Sequence, residues 1–270
     1  MNAPDIKMIK TQMKALWTEG DFGQIAKFTE PAAEAFIKRR AITEGLRVLD
    51  VACGTGNAAI PAAQAGAYVT GVDIAPNLIE TARGRAKRAR LNIRFDEGDV
   101  EDLPYADGSF DLVVSMFGAV FAPRPARAAA ELLRVCRPGG QIAMANWTPR
   151  GFVGRQHEII GRYVPARAGA ASPLEWGDEA MVRERFGDGA AALQATTVVA
   201  TLHYPFSPAE TVEFFRTHFG PAQHAFGALA EDRQAGLRRE LEEFYAHHNQ
   251  ATDGTTRVEA EYLDVAATRA

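Results

Sequence analysis

The stretch Val48-Leu49-Asp50-Val51-Ala52-Cys53-Gly54-Thr55-Gly56 constrains this chain more than any other. A short apolar strand runs into a Gly-x-Gly turn, and a helix-like segment, Asn57 to Ala65, follows. Such a turn lets the backbone approach a ligand closely and aims helix N–H groups at it. A Gly-rich turn is a weak signal by itself, and the carboxylates around it sharpen it. Asp50 lies inside the strand, Asp73 ends the next apolar run (Tyr68 to Val72), and Asp99 ends a third (Phe95 to Val100). Three acids at the C-terminal ends of consecutive strands suit a ligand with a cationic or hydroxyl-rich face.

A dinucleotide fingerprint is the nearest competitor. Gly54-x-Gly56-x-x-Ala59 satisfies its loose form, and Asp73 stands at the spacing of about 20 residues expected of a ribose carboxylate. Three features exclude it. Asp50 puts a charge where that fingerprint wants an apolar residue, Asn57-Ala58 opens the helix without a pyrophosphate-cradling pattern, and Asp99 would repel the second half of a dinucleotide. A cofactor with an ammonium, a sulfonium and a ribose but no phosphate explains all three.

Four ordered segments carry a family resemblance: VLDVACGTG (48–56), VTGVDIAPNLIETAR (69–83), FDEGDVEDLPYADGSFDLVVS (95–115) and ELLRVCRPGGQIAMANW (131–147). The chain resembles the class I S-adenosylmethionine-dependent methyltransferases, in the small-molecule group that includes the ubiquinone-biosynthesis C-methyltransferases. The resemblance is close over residues 10 to 150 and loose beyond. It implies S-adenosyl-L-methionine as cofactor, with Asp73 on both ribose hydroxyls, Asp99 on the adenine amine and the Val100 N–H on a ring nitrogen. Asp50 orders the Gly loop or reaches the methionine ammonium. Ala52, Gly54 and Gly56 approach the methionine end, and Ile74 follows the ribose acid. Ser115 and Phe117 fall at the junction of cofactor and acceptor, where Phe117 can equally be core. Trp17 and Phe22 match an N-terminal lid over the cofactor, or simply pack the core.

The coarse pattern agrees. Residues 8 to 40 read as one or two helices. Strands at Arg47–Ala52, Tyr68–Val72, Asn92–Phe95, Asp111–Met116 and Gln141–Ala145 alternate with helices at Asn57–Ala65, Pro76–Arg90 and Pro125–Cys136. This gives an α/β fold with a doubly wound, mostly parallel sheet and a ligand at the carboxyl ends of its strands; the family has seven strands. Residues 1–147 then form the lid helices and cofactor core. Residues 148–192, rich in Gly, Ala, Pro and Arg and most loop-like at 166–173, read as a partly helical cap over the acceptor. Residues 193–270 complete the sheet, with a strand at Thr196–Tyr204, a capping box at Ser207-Pro208-Ala209-Glu210, helices to His218 and from Gln223 to His248, and a half-exposed antiparallel strand at Arg257–Ala267.

Composition limits the function. A net charge of -4 disfavours a nucleic-acid surface. The basic run Arg83 to Arg90 spreads around a solvated helix. Cys53 and Cys136 lack zinc spacing and suit a reducing cytoplasm. No metal site is expected. Met1 to Lys7 has no apolar signal-peptide core, and Leu112 to Ala122 is too short to cross a bilayer.

Methyl transfer from a sulfonium needs orientation and water exclusion more than a catalytic group. His157 is the candidate general base, or a cap-packing histidine; His203-Tyr204 come next, and His247-His248 face different ways. Trp147 and Trp176 wall an acceptor pocket or hold the cap down. The expectation is methyl transfer to a small-molecule acceptor, oxygen ahead of nitrogen, carbon and sulfur, with no nucleic-acid or membrane partner. The rivals are a cofactor-binding protein without transferase activity and an enzyme using the cofactor for cyclisation or decarboxylation.

Overall fold

A computed structural model describes residues 5–166 and 170–270. Two helices and a short third precede the sheet: α1 (Ile6–Thr18), α2 (Phe22–Ala26) and α3 (Glu30–Lys38). Strand–helix units follow: β1 (Arg47–Val51), α4 (Ala59–Gln64), β2 (Tyr68–Asp73), α5 (Pro76–Arg88), β3 (Arg94–Glu97), β4 (Phe110–Met116), α6 (Pro125–Val135) and β5 (Cys136–Trp147). Then come α7 (Phe152–Tyr163), α8 (Glu179–Phe186), β6 (Ala190–Tyr204), α9 (Pro208–His218), α10 (Gly220–Gly227), α11 (Glu231–His248) and β7 (Thr256–Arg269).

The seven strands run in the order β3-β2-β1-β4-β5-β7-β6. The first five are parallel; β7 is antiparallel to both β5 and β6. The order reverses beside β1, between β1 and β4, which is the switch point where such sheets open a crevice for a ligand.

Side chains alternate between the two faces of the sheet. Leu49, Val51, Val113, Ile142 and Met144 face α6 and α8; Val48, Val69, Leu112, Val114 and Ala143 face α3, α4 and α5. Pro at the first turn opens α5 and α6, where its missing N–H costs nothing. At α9 the Ser207 hydroxyl accepts from the Glu210 N–H, and the Glu210 carboxylate accepts from the Ser207 N–H. A third core, with Phe152, Ile159, Val212, Phe226, Leu237, Leu241 and Tyr245, joins α7 and α9–α11 to the outer ends of β6 and β7.

The division at 148–192 needs correcting. Its two helices go to opposite faces of the sheet. Helix α7 packs on α11 and β7, whereas α8 packs on α6. The loop-like centre of that segment, residues 167–169, lies outside the described residues. The stretch expected as one helix from Gln223 to His248 is two, α10 and α11, and together with α9 it forms an insertion between β6 and β7. No helix among the described residues is long and apolar enough to cross a membrane.

Candidate active site

One cavity of about 320 Å³ opens above the carboxyl ends of β1, β2 and β4. Its floor is the Gly loop. There the Cys53 N–H donates to the Val72 carbonyl at 3.0 Å, tying the loop to the neighbouring strand. Asp73, buried, locks it further: Oδ2 accepts from the Gly54 N–H at 2.8 Å and Oδ1 from the Ala75 N–H at 2.9 Å. A carboxylate oxygen holds two lone pairs, so both retain acceptor capacity for ribose hydroxyls. Burial raises the Asp73 pKa.

Asp50 is 1% exposed yet lines the cavity. Its Oδ2 has no hydrogen-bond partner among the described residues. Burial pushes its pKa up to about 8, opposed by the Ala59 N–H and reinforced by Asp73. A buried, unpaired acceptor beside a second carboxylate is costly unless a cation or donor completes it. An ammonium group fits that requirement, and a phosphate does not.

Ala52 (φ 53°) and Phe117 (φ 61°), just past the ends of β1 and β4, both take the left-handed conformation despite their side chains. Their loops nearly touch: a Cβ on Gly118 would lie 2.5 Å from the Ala52 carbonyl oxygen. Such conformations persist only where the surroundings enforce them, and they cluster at ligand sites. Ala52, Gly54, Ile74, Asp99, Val100 and Phe117 all line the cavity.

Two residues of the expected cofactor set do not reach it. The Ser115 hydroxyl, 1% exposed, donates to the Val51 carbonyl at 2.8 Å and accepts from the Ala119 N–H at 3.0 Å. With both partners taken it braces β4 against β1 and contacts no ligand space. Gly56 (φ 84°) turns the loop beneath the cavity, against Phe95 and Ala82.

Helix α1 crosses over the cavity on the side of Asp99. Met13 and Trp17 line the cavity, and Phe22 meets Trp17 edge-on at 5.5 Å. No residue of α1 is buried, and polar ties add to the Trp17 ring contacts in holding it. The Lys10 ammonium pairs with Asp99 and with Glu101, the latter at 2.7 Å, and Lys14 pairs with Glu97 at 3.2 Å. The other Asp99 oxygen accepts from the Glu101 N–H at 2.9 Å. Lys10 was not legible as a site residue, because nothing in the sequence shows that α1 folds back onto the loop after β3. Arg85 was also missed. Its guanidinium donates to the Thr55 carbonyl and hydroxyl at 3.0 Å and to Glu30 at 2.7 Å, bracing the Gly loop rather than facing solvent.

Past the strand ends the cavity continues into an aromatic chamber. Phe117 and Trp147 stack in parallel, centroids 3.8 Å apart, with Tyr262 edge-on to both. Phe152, Gln156, His157 and Ile160 enter from α7, Val212, Phe215, Ala225, Phe226 and Tyr245 from α9–α11, and Phe219 from the turn between α9 and α10. His157 is half-buried, and its Nδ1 lies 3.0 Å from the Val153 carbonyl. A carbonyl only accepts, so Nδ1 carries the hydrogen and the neutral ring keeps a lone pair on Nε2. Burial lowers the His157 pKa, against the Val153 bond.

Trp176 is the second correction. It is fully buried on the other face of β5, packed with Ile142, Met144 and Phe186, and does not line the cavity. The two tryptophans take opposite faces because Trp147 follows the odd-numbered residues of β5 and Trp176 packs on the even ones. The roof residues of α9–α11 went unrecognised, although six aromatics between Tyr204 and Phe226 were a usable signal. His203 instead bonds Thr255 Oγ1 at 3.2 Å in an exposed polar pocket, and His248 bonds the Phe244 carbonyl. Among the described residues no cluster of His, Cys, Asp and Glu could hold a metal.

The doubly wound sheet, its switch-point crevice and a floor that suits an ammonium and a ribose define a class I methyltransferase site. Comparison with known proteins agrees. Residues 48–140 match the family model described as "Methyltransferase domain". An uncharacterized protein of Mycobacterium tuberculosis is 40% identical over 223 residues, covering 82% of this chain and 81% of its own. A demethylmenaquinone methyltransferase of Deinococcus radiodurans is 37% identical over 142 residues, 49% of this chain and 59% of its own. Among solved structures, the cyclase SpnF superposes with a TM-score of 0.59 at 19% identity, covering 100% of this chain and 98% of its own. Geranyl diphosphate methyltransferase in complex with S-adenosylmethionine gives 0.53 at 18% identity, covering 95% and 94%. The chain belongs to the class I S-adenosylmethionine-dependent methyltransferases. Membership of that family makes S-adenosyl-L-methionine its cofactor and methyl transfer its reaction.

Proposed function

We propose that this enzyme methylates a hydroxyl of a small-molecule acceptor held in the aromatic chamber, with His157 as general base. The observation that carries the reading is the His157 ring: neutral, with a free Nε2 lone pair, lining the same cavity as the cofactor floor. When bound, the cofactor supplies an electrophilic methyl on a sulfonium. In this reading Asp73 holds the ribose, Asp99 and Val100 the adenine, and Asp50 the ammonium; Trp17 and Phe22 cover that end. Phe117 and Trp147 form the acceptor platform, and α7 with α9–α11 exclude water. His157 accepts the hydroxyl proton at Nε2 as the oxygen becomes nucleophilic. Nitrogen, carbon and sulfur acceptors rank behind oxygen because a protonation-matched base contributes most where the nucleophile starts as a weak acid. SpnF, a cyclase by name, has the same fold, so the fold alone does not choose the chemistry.

A domain division follows from this reading: residues 1–147 the lid and cofactor core, α7 with α9–α11 the acceptor roof, and β6 and β7 the edge that carries it. Buried, unpaired Cys53 and Cys136 support a reducing, cytoplasmic setting. The acidic net charge supports a small-molecule partner over nucleic acid.

The test is release of S-adenosylhomocysteine by wild type and His157→Ala at pH 7 with hydroxyl acceptors. A loss of about 10²–10⁴-fold in kcat with unchanged cofactor affinity is expected. A loss below about threefold would reduce His157 to packing.

A further inference from the structure

The chamber beyond the strand ends has a marked charge distribution. The carboxylates that line the cavity are Asp50, Asp73 and Asp99, all at the ends of the β1–β3 region. Under the roof, the charged lining residue is Arg216, and its guanidinium is already engaged by the two Glu213 oxygens at 3.0 and 2.9 Å. No carboxylate among the described lining residues stands there to receive an ammonium, and no unengaged cation to receive a phosphate. The rest is ring and hydrocarbon: the Phe117–Trp147 stack, then Phe152, Phe215, Phe219, Phe226, Leu237 and Leu241. The polar exceptions are Gln156 and His157, together on α7, and the hydroxyls of Tyr204 and Tyr245, both kept neutral by burial.

We infer that the acceptor is a bulky, uncharged, ring-containing molecule with one ionisable hydroxyl, and that amines and phosphate esters are rejected. This rests on the hydroxyl-methylation reading above for the hydroxyl alone; size and charge selection rest on the chamber. A flat ring gains from stacking on the aromatic pair and from transfer out of water. A phosphate entering the same space loses its hydration with no unengaged cation to replace it, and an ammonium finds ring faces there but no carboxylate. Gln156 and His157, together on α7, then supply directional contacts at the hydroxyl.

The test is calorimetry on the wild-type protein saturated with S-adenosylhomocysteine, titrated with 2-naphthol, phenol, sarcosine and phosphoethanolamine. One equivalent of 2-naphthol should bind at least about tenfold more tightly than phenol, since the second ring adds buried apolar area. Sarcosine and phosphoethanolamine should give no binding heat. Ala225, 6% exposed and lining the chamber, offers a filling variant. Ala225→Trp should weaken 2-naphthol by more than about tenfold, the same area term now excluded, while cofactor affinity stays put. If that variant fails to melt cooperatively, the four-ligand series on wild type decides alone. Equal affinity for 2-naphthol and phenol, or saturable binding of sarcosine or phosphoethanolamine, overturns the inference. Tight 2-naphthol binding without methylation leaves it standing and overturns the hydroxyl-methylation reading instead.

Discussion

Trp17 and Phe219 meet ring to ring, centroids 5.9 Å apart at 63°. The contact joins α1, the proposed lid, to the turn between α9 and α10 in the proposed roof. Backbone pairing beside it, Gly20 with Phe219 and the Asp21 N–H donating to the His218 carbonyl at 3.0 Å, makes the join stiff. The contact predicts that lid and roof open and close together. S-adenosylhomocysteine should strengthen 2-naphthol binding by about 5- to 150-fold, the usual size of a coupling between sites. Phe219→Ala should bring that factor close to one while each ligand still binds alone. A variant with undiminished coupling would show that lid and roof move independently.

Asp50 gives the enzyme a pH signature. Its carboxyl is protonated at pH 7 in the cofactor-free protein, because burial has raised its pKa to about 8. An ammonium beside it favours the ionised form, so cofactor binding at pH 7 releases a proton and tightens as pH rises toward 8. Calorimetry in buffers of different ionisation enthalpy reads the release directly. The stability sign is the reverse of an ordinary surface acid. With the folded pKa above the unfolded value of about 3.9, the folded state binds more protons, and stability is lost as pH rises from about 4 to about 8. Asp50→Asn should abolish the proton release and flatten that part of the melting profile. Release that survives the substitution would assign the proton to another group, with Asp73, also raised, first in line.

Trp176→Ala separates stability from catalysis. The ring is fully buried on the far face of β5, under the Arg185 guanidinium at 4.7 Å. Truncation there should cost about 3–5 kcal/mol by denaturant melting. Acceptor KM and kcat of the fraction that stays folded should be unchanged. A raised KM with normal stability would return Trp176 to the acceptor pocket.

The cofactor half of the site was far more legible in sequence than the acceptor half, for a physical reason. Asp50, Asp73 and Asp99 stand at or just past strand ends, and strands are fixed locally by apolar runs and Gly turns. The acceptor chamber is made by long-range packing. Helices α9–α11 are separated in sequence from the cofactor loops by more than a hundred residues. Their apolar faces look the same whether they cover a core or a cavity. Trp147 and Trp176 show the limit most clearly, since both flank the same segment yet strand alternation sends them to opposite faces. Lys10 and Arg85 belong to helices with ordinary surface patterns, and only the fold brings them to Asp99 and Thr55.

The cofactor assignment at residue level is tested most directly by titrating S-adenosylhomocysteine into wild type and Asp73→Ala by calorimetry, with NADH as the control ligand. Asp73 retains acceptor capacity after binding the Gly54 and Ala75 N–H groups, and loss of a charged hydrogen bond costs about 1.5–3 kcal/mol. The variant should therefore bind about ten- to a hundredfold more weakly than wild type, keep a cooperative melting transition, and neither protein should bind NADH. An unchanged dissociation constant in Asp73→Ala, or saturable NADH binding to wild type, would contradict the site described above.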